Sequence, residues 1–148
     1  MAAGGTIVVG VDGSDPSRSA LRWALAEARL RGARLVAVHA WSYVPSLPAD
    51  SLDPMLMTPD FNEALERDAR QFVEREVEEI REAAEGVEIE GRALEGPAAT
   101  VLAEAARGAD LLVLGTRGHG GFAGLLLGSV SQQVAHHAPC PLVLVPHR

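Results

Sequence analysis

Residues 110–146 read DLLVLGTRGHGGFAGLLLGSVSQQVAHHAPCPLVLVP, and this stretch decides the fold. Positions 110–115 (DLLVLG) are short, apolar and closed by glycine, the pattern of a fully buried strand. A glycine-rich segment, 116–128, follows. Residues 129–137 then carry a helical pattern, with Ser129 and Gln132 at the S-x-x-Q spacing of a capping box. Leu142 to Val145, bracketed by Pro141 and Pro146, reads as another strand. Continuously apolar strands separated by a helix predict parallel neighbours, because parallel strands need a crossover and are covered on both faces.

The same alternation extends back to the N-terminus. Residues 6–11 (TIVVGV) predict the first strand, and Asp15 is expected to cap a helix whose first helical position is Pro16. Ala20, Leu21, Ala24, Leu25 and Ala28 share one face of that helix, which should stop at Gly32. Residues 34–41 (RLVAVHAW) predict strand two. Residues 42–59 hold four prolines and little periodicity, a long loop of the kind that is usually functional. A long amphipathic helix is expected over 60–85, with Leu65, Ala69, Phe72, Val73, Val77, Ile80 and Ala84 inward and the acids on the opposite face. Residues 87–93 alternate as strand three, and Pro97 opens a helix ending near Gly108. The result is one α/β domain, an open parallel five-stranded sheet with helices on both faces. Ligands of such sheets bind beyond the carboxyl ends of the strands, where the strand order reverses. The ends of strands one, two and four are therefore the places to look.

At the end of strand four, Gly115, Gly118, Gly128 and Ser129 form a G-x2-G-x9-G-S spacing that leaves a strand and enters a helix. Glycines permit positive φ and let a phosphate approach without a Cβ clash. The helix start at Ser129, Val130 and Ser131 would aim N–H groups and its dipole at an anion, with the two serine hydroxyls as further donors. Arg117 and His119 lie within the same loop. A glycine-rich connection that only turns the chain has the same composition, so spacing alone leaves both readings open. Gly118, Gly120 and Ala123 also mimic a dinucleotide fingerprint, but no acid follows some twenty residues on to take a ribose. At the end of strand one, Asp12 could accept ribose hydroxyls or reach a metal held by phosphates; Asp-Gly is equally a common turn pair. At the end of strand two, Ala40 could pair its backbone with a base edge, a reading that follows from position only.

Composition removes several classes. The chain has 148 residues and a formal net charge of −7, and all thirteen basic residues are arginine. Without lysine there is neither a Walker A phosphate loop nor a Schiff-base mechanism. Residues 60–95 carry thirteen acids against five arginines, so the negative excess sits on one helical segment, most simply a solvated face. No basic stripe suits duplex nucleic acid. Cys140 is the single cysteine, which excludes an internal disulfide or a cysteine zinc cluster. The first residues lack a signal-peptide pattern and no apolar run approaches bilayer length, so a soluble cytoplasmic protein without membrane contact is expected.

The stretches IVVGVDGS, LVAVHAW and residues 110–146, with the proline-rich segment after strand two, resemble the ATP-binding type of the universal stress protein family. The similarity runs over nearly the whole chain, and the glycine block matches the family's G-x2-G-x9-G-(S/T) pattern without a gap. It implies strand order 3-2-1-4-5, a Rossmann-like, adenine nucleotide α-hydrolase-like fold, and a nucleotide-binding domain over residues 1–148. It also implies roles by position. Gly10 and Val11 would line the adenine side, with Asp12 on the ribose, Ala40 at the base and Leu114 beneath the nucleotide. Gly115, Gly118, Gly128, Ser129, Val130 and Ser131 would surround the phosphates. The implied ligand is ATP with Mg or Mn, and the implied assembly a homodimer paired along Leu142 to Val145.

Other candidates carry less. His136, His137 and Cys140 are zinc-ligand types, but adjacent histidines diverge by about 100° on a helix. His39 is read as packed. His119, then Asp12, would be the nearest groups to orient a water at a γ-phosphate, though neither has a recognisable partner. Trp41 and Tyr43 could cover a base or simply pack. Three functions follow in order: a nucleotide-dependent regulatory module with a protein partner, a slow ATPase using the same site, and an interaction module whose glycine loop is only structural.

Overall fold

The computed structural model describes residues 4–42, 59–116 and 127–147. Their order is β1 (Thr6–Gly10), α1 (Asp15–Arg31), β2 (Arg34–Trp41), α2 (Pro59–Ile80), a short 3-10 turn (Glu82–Ala84), β3 (Ile89–Glu95), α3 (Ala98–Ala105), β4 (Leu111–Gly115), α4 (Ser129–His137) and β5 (Leu142–Val145). The five strands form one parallel sheet of order β3-β2-β1-β4-β5, as expected.

The strands of the centre bury both faces, and their alternation sorts the core into two halves. Ile7, Val9, Leu35, Ala37, Leu111 and Val113 pack with α1 and α2 residues such as Leu21, Leu25, Val73 and Val77. Val8, Val36, Val38, Leu112 and Leu114 pack on the other face with Val101, Leu102 and Val134 of α3 and α4. The chain thus lays two crossovers on one face and two on the other. The reversal falls between β1 and β4, whose following loops leave in opposite directions and open a crevice.

Five local readings shift, the first being the helix expected over 60–85, which ends at Ile80 and gives way to the 3-10 turn Glu82–Ala84. Ser14, not Asp15, caps α1: its extended backbone brings Oγ within 3.2 Å of the Ser17 amide, and Asp15 enters the first turn. The Ser129–Gln132 capping box does not form, because Gly128 occupies the N-cap and Ser129 is already helical; Gly128 C=O accepts from the Gln132 amide instead. Strand three begins at Ile89 rather than 87, because its register is set by pairing from Leu35↔Ile89 to Trp41↔Glu95. On α2 the acids are not confined to the outer face, since Glu76 is buried with Val73 and Val77. No described helix is long and apolar enough to cross a membrane.

Candidate functional site

A crevice opens at the carboxyl end of the sheet. It gathers Gly10, Val11 and Asp12 from the end of β1, Ala40 from β2, Leu114 and Gly115 from β4, and Gly128, Ser129, Val130 and Ser131 from the start of α4. These are ten of the positions singled out in the sequence. The other three, Arg117, Gly118 and His119, lie outside the described residues, as does Tyr43. Ser17, Val38, Ala98 and Leu102 also line the crevice and were missed. No sequence signal marks them: Val38 and Leu102 read as core, and Ser17 and Ala98 as helix starts.

One wall is the turn after β1. The Asp12 amide donates to the buried Ser17 Oγ at 2.9 Å, and the Asp12 Oδ1 accepts from the Ser14 amide at 2.9 Å and hydroxyl at 2.6 Å. The Val11 amide donates to the Val38 carbonyl at 2.9 Å, tying the turn to β2. His39 Nδ1 lies 2.9 Å from the Val11 carbonyl. A carbonyl only accepts, so Nδ1 carries the proton of that bond. The His39 ring leans on Phe72 of α2 at 4.4 Å between centroids, which makes it a packed residue, as read. Gly13 closes the turn at φ +83°, a conformation that favours glycine.

The opposite wall is the start of α4. A helix leaves its first-turn N–H groups without intrahelical partners, and no side chain among the described residues caps this one. Ser129, Val130 and Ser131 therefore bring donors and the positive end of a dipole to the crevice. The Ser131 hydroxyl is not one of those donors, because it gives its proton to the Gly115 carbonyl at 2.8 Å. That bond and the Gly128 amide to the Thr116 carbonyl, 2.6 Å, clamp the helix start against the end of β4.

Neither described glycine of the motif uses positive φ. Gly115 is required by close approach: a Cβ there would lie 2.7 Å from the Pro16 carbonyl carbon and 2.8 Å from its oxygen. Its first duty is to seat α1 on β4. Leu102, Leu114 and Val38 supply an apolar patch opposite these polar walls. Chemically, the crevice offers an apolar patch, a carboxylate held in a turn, and amide donors at a helix start.

The metal reading of the last helix gains nothing. His136 and His137 have centroids 6.4 Å apart, and no group of three or more His, Cys, Asp or Glu that could hold an ion occurs among the described residues. Burial, then the nearby Asp110 charge, pushes the Cys140 thiol up, so little of it is thiolate.

The Universal stress protein family profile matches residues 5–146. A universal stress protein of Thermus aquaticus is 42% identical over 95% of this chain and 97% of its own length. One from Mycolicibacterium smegmatis is 35% identical over 96% of this chain but only 46% of its own, so the chain spans about half of that relative. A universal stress protein solved in complex with cAMP is 31% identical, with a TM-score of 0.65 over 99% of this chain and 100% of that one. Another, from Archaeoglobus fulgidus in complex with dAMP, is 27% identical with a TM-score of 0.64, covering 97% and 98%.

Proposed function

The chain belongs to the universal stress protein family, and on that premise we propose that its crevice binds an adenine nucleotide, ATP with Mg or Mn, as a regulatory module. The observation that carries the proposal is the meeting of the α4 start and the Asp12 turn across one crevice. Relatives of the same fold hold cAMP and dAMP, which supports the adenosine half of the reading.

In this reading Leu102, Leu114 and Val38 cover the base, and the Ala40 backbone pairs with its edge. Asp12 takes the ribose. The amides of Ser129, Val130 and Ser131 hold phosphate oxygens, with Gly128 beside them and Arg117, Gly118 and His119 completing the cradle. A divalent ion supplies charge neutralisation for the phosphates and would rest on their oxygens and the Asp12 carboxylate, an oxygen-donor set that suits Mg or Mn. The whole of residues 1–148 is assigned to this one domain, acting in the cytoplasm as a homodimer along β5. Binding changes the surface presented to a protein partner. The turn bonds on Asp12 Oδ1 hold it as a ligand-positioning group, so hydrolysis is not assigned.

Thermal unfolding with and without nucleotide tests the proposal. At a hundredfold excess over Kd, ATP and magnesium should add about 2.7 kcal/mol of stability. Parallel runs with AMP and cAMP show whether the adenosine part or the polyphosphate dominates. An unchanged Tm at millimolar ATP overturns it.

A further inference from the structure

Beneath the Asp12 turn, on the face away from the crevice, α2 presents Phe72 and Glu76. Glu76 is 3% exposed, one of few polar side chains buried in this fold. Its Oε2 faces the Arg18 Nε of α1 at 3.7 Å, too long for a strong charge-assisted bond. Its Oε1 is buried and has no hydrogen-bond partner among the described residues. That oxygen sits under Gly13: a Cβ built on Gly13 would lie 3.8 Å from it, and 3.1 Å from the Phe72 ring. A buried carboxylate with one weak partner and one orphan oxygen is costly in its charged form. Helix packing alone would put an apolar residue here, as at Val73 and Val77.

We infer that Glu76 is a positioning residue for the crevice, which holds the Asp12–Gly13–Ser14 turn from below and takes up a proton when an anionic ligand arrives above it. The inference rests on the nucleotide reading of the crevice for its second half only. Every charge that faces Glu76 bears on the sign. Burial dominates and raises its pKa; Arg18 of α1 lowers it, while Glu79 of α2 and Asp12 of the turn raise it. Arg22 and Arg29 of α1 line the same groove between the helices, and His39 of β2 reaches it only through Phe72. A metal-free anion such as a cyclic nucleoside monophosphate adds a charge of the same sign as Asp12, so it favours the neutral acid. Binding and protonation then assist each other. The turn transmits the effect through the bonds from Ser14 to Asp12 and from Asp12 to Ser17.

Two measurements on the full chain test this, and Glu76→Gln is the central variant because it mimics the neutral acid in size. The first needs no nucleotide. A carboxyl group whose folded pKa is raised contributes most below its unfolded value of about 4.5 and loses that contribution as pH rises through the folded value. The Tm of Glu76→Gln minus that of the parent should therefore increase from pH 4.5 to pH 8. Hydrogen exchange at the Asp12 and Ser14 amides should be slowed in the variant at pH 8, and hastened in Glu76→Ala. A flat Tm difference with unchanged exchange at both amides overturns the inference, whatever the crevice binds. The second uses cAMP, whose phosphodiester does not titrate in this range. The parent's affinity should fall with rising pH, by at most about tenfold per unit for one linked proton, while Glu76→Gln stays at the low-pH level. Identical pH profiles for parent and variant overturn the linkage. Failure of both proteins to bind cAMP counts against the adenine-nucleotide reading, and the first measurement then decides the role of Glu76.

Discussion

Gly115 and Gly128 belong to one spacing motif and answer to different constraints. A Cβ at Gly115 would press into the backbone of Pro16 at 2.7–2.8 Å, with no flexible atom to yield. Gly115→Ala should destabilise the apo protein by about 1–3 kcal/mol, the usual cost of overpacking, as read by urea unfolding. Gly128 has φ −71° and ψ 167°, extended backbone that any residue adopts. Gly128→Ala should keep a native circular dichroism spectrum and lose most of the nucleotide-induced rise in Tm. Equal loss of apo stability in both variants would show that Gly128 is also structural. The sequence motif could locate these glycines but not assign them, because the reason for Gly115 lies in Pro16, about a hundred residues away. Glu76 was illegible for a similar reason. Its spacing places it with the acidic face, and nothing local distinguishes it from Glu74 or Glu78, which are exposed.

At the level of elements, what could be read from periodicity survives, and what depends on a partner shifts. The apolar stripe of α1, with Ala20, Leu21, Ala24, Leu25 and Ala28, is buried as its spacing requires. The start of the helix moved by one residue because Ser14 and Asp15 are both good caps. The contact that decides, Ser14 Oγ with the Ser17 amide, depends on the turn bonds at Asp12. Strand β3 moved by two because β2 sets its register, and alternation within 87–95 fits either frame. Ser14 thus joins cap and crevice. Ser14→Ala should cost about 1 kcal/mol of stability from the lost cap and also weaken nucleotide binding, since Asp12 loses its hydroxyl donor. Calorimetric titration beside thermal unfolding separates the two. A normal affinity with reduced stability would confine Ser14 to the helix.

Across the whole molecule the sheet has two edges, and they are built differently. On the β3 edge, Glu90 pairs with Arg92 at 2.9 Å and with Arg34 at 3.7 Å, charges of the kind that discourage a second strand from pairing. The β5 edge, Leu142–Val145, carries no charge. Pro141 and Val145 direct their carbonyls to the Leu112 amide of β4 and the Thr116 amide just beyond it. By the alternation of a parallel ladder, Leu142 and Leu144 turn their backbone groups outward. Two such edges meeting antiparallel about a two-fold axis would satisfy these groups and close the assembly at two copies. Charging a side chain is a poor test, because Val143 and Val145 pack on one core and Leu142 and Leu144 on the other. Leu144→Pro removes an outward N–H and leaves the β4 ladder intact. The parent should sediment as a dimer at tens of micromolar and Leu144→Pro as a folded monomer. Nucleotide binding should persist in that monomer, because none of the described residues lining the crevice belongs to β5. A monomeric parent, or a dimer that survives the proline, would place the interface elsewhere or nowhere on β5.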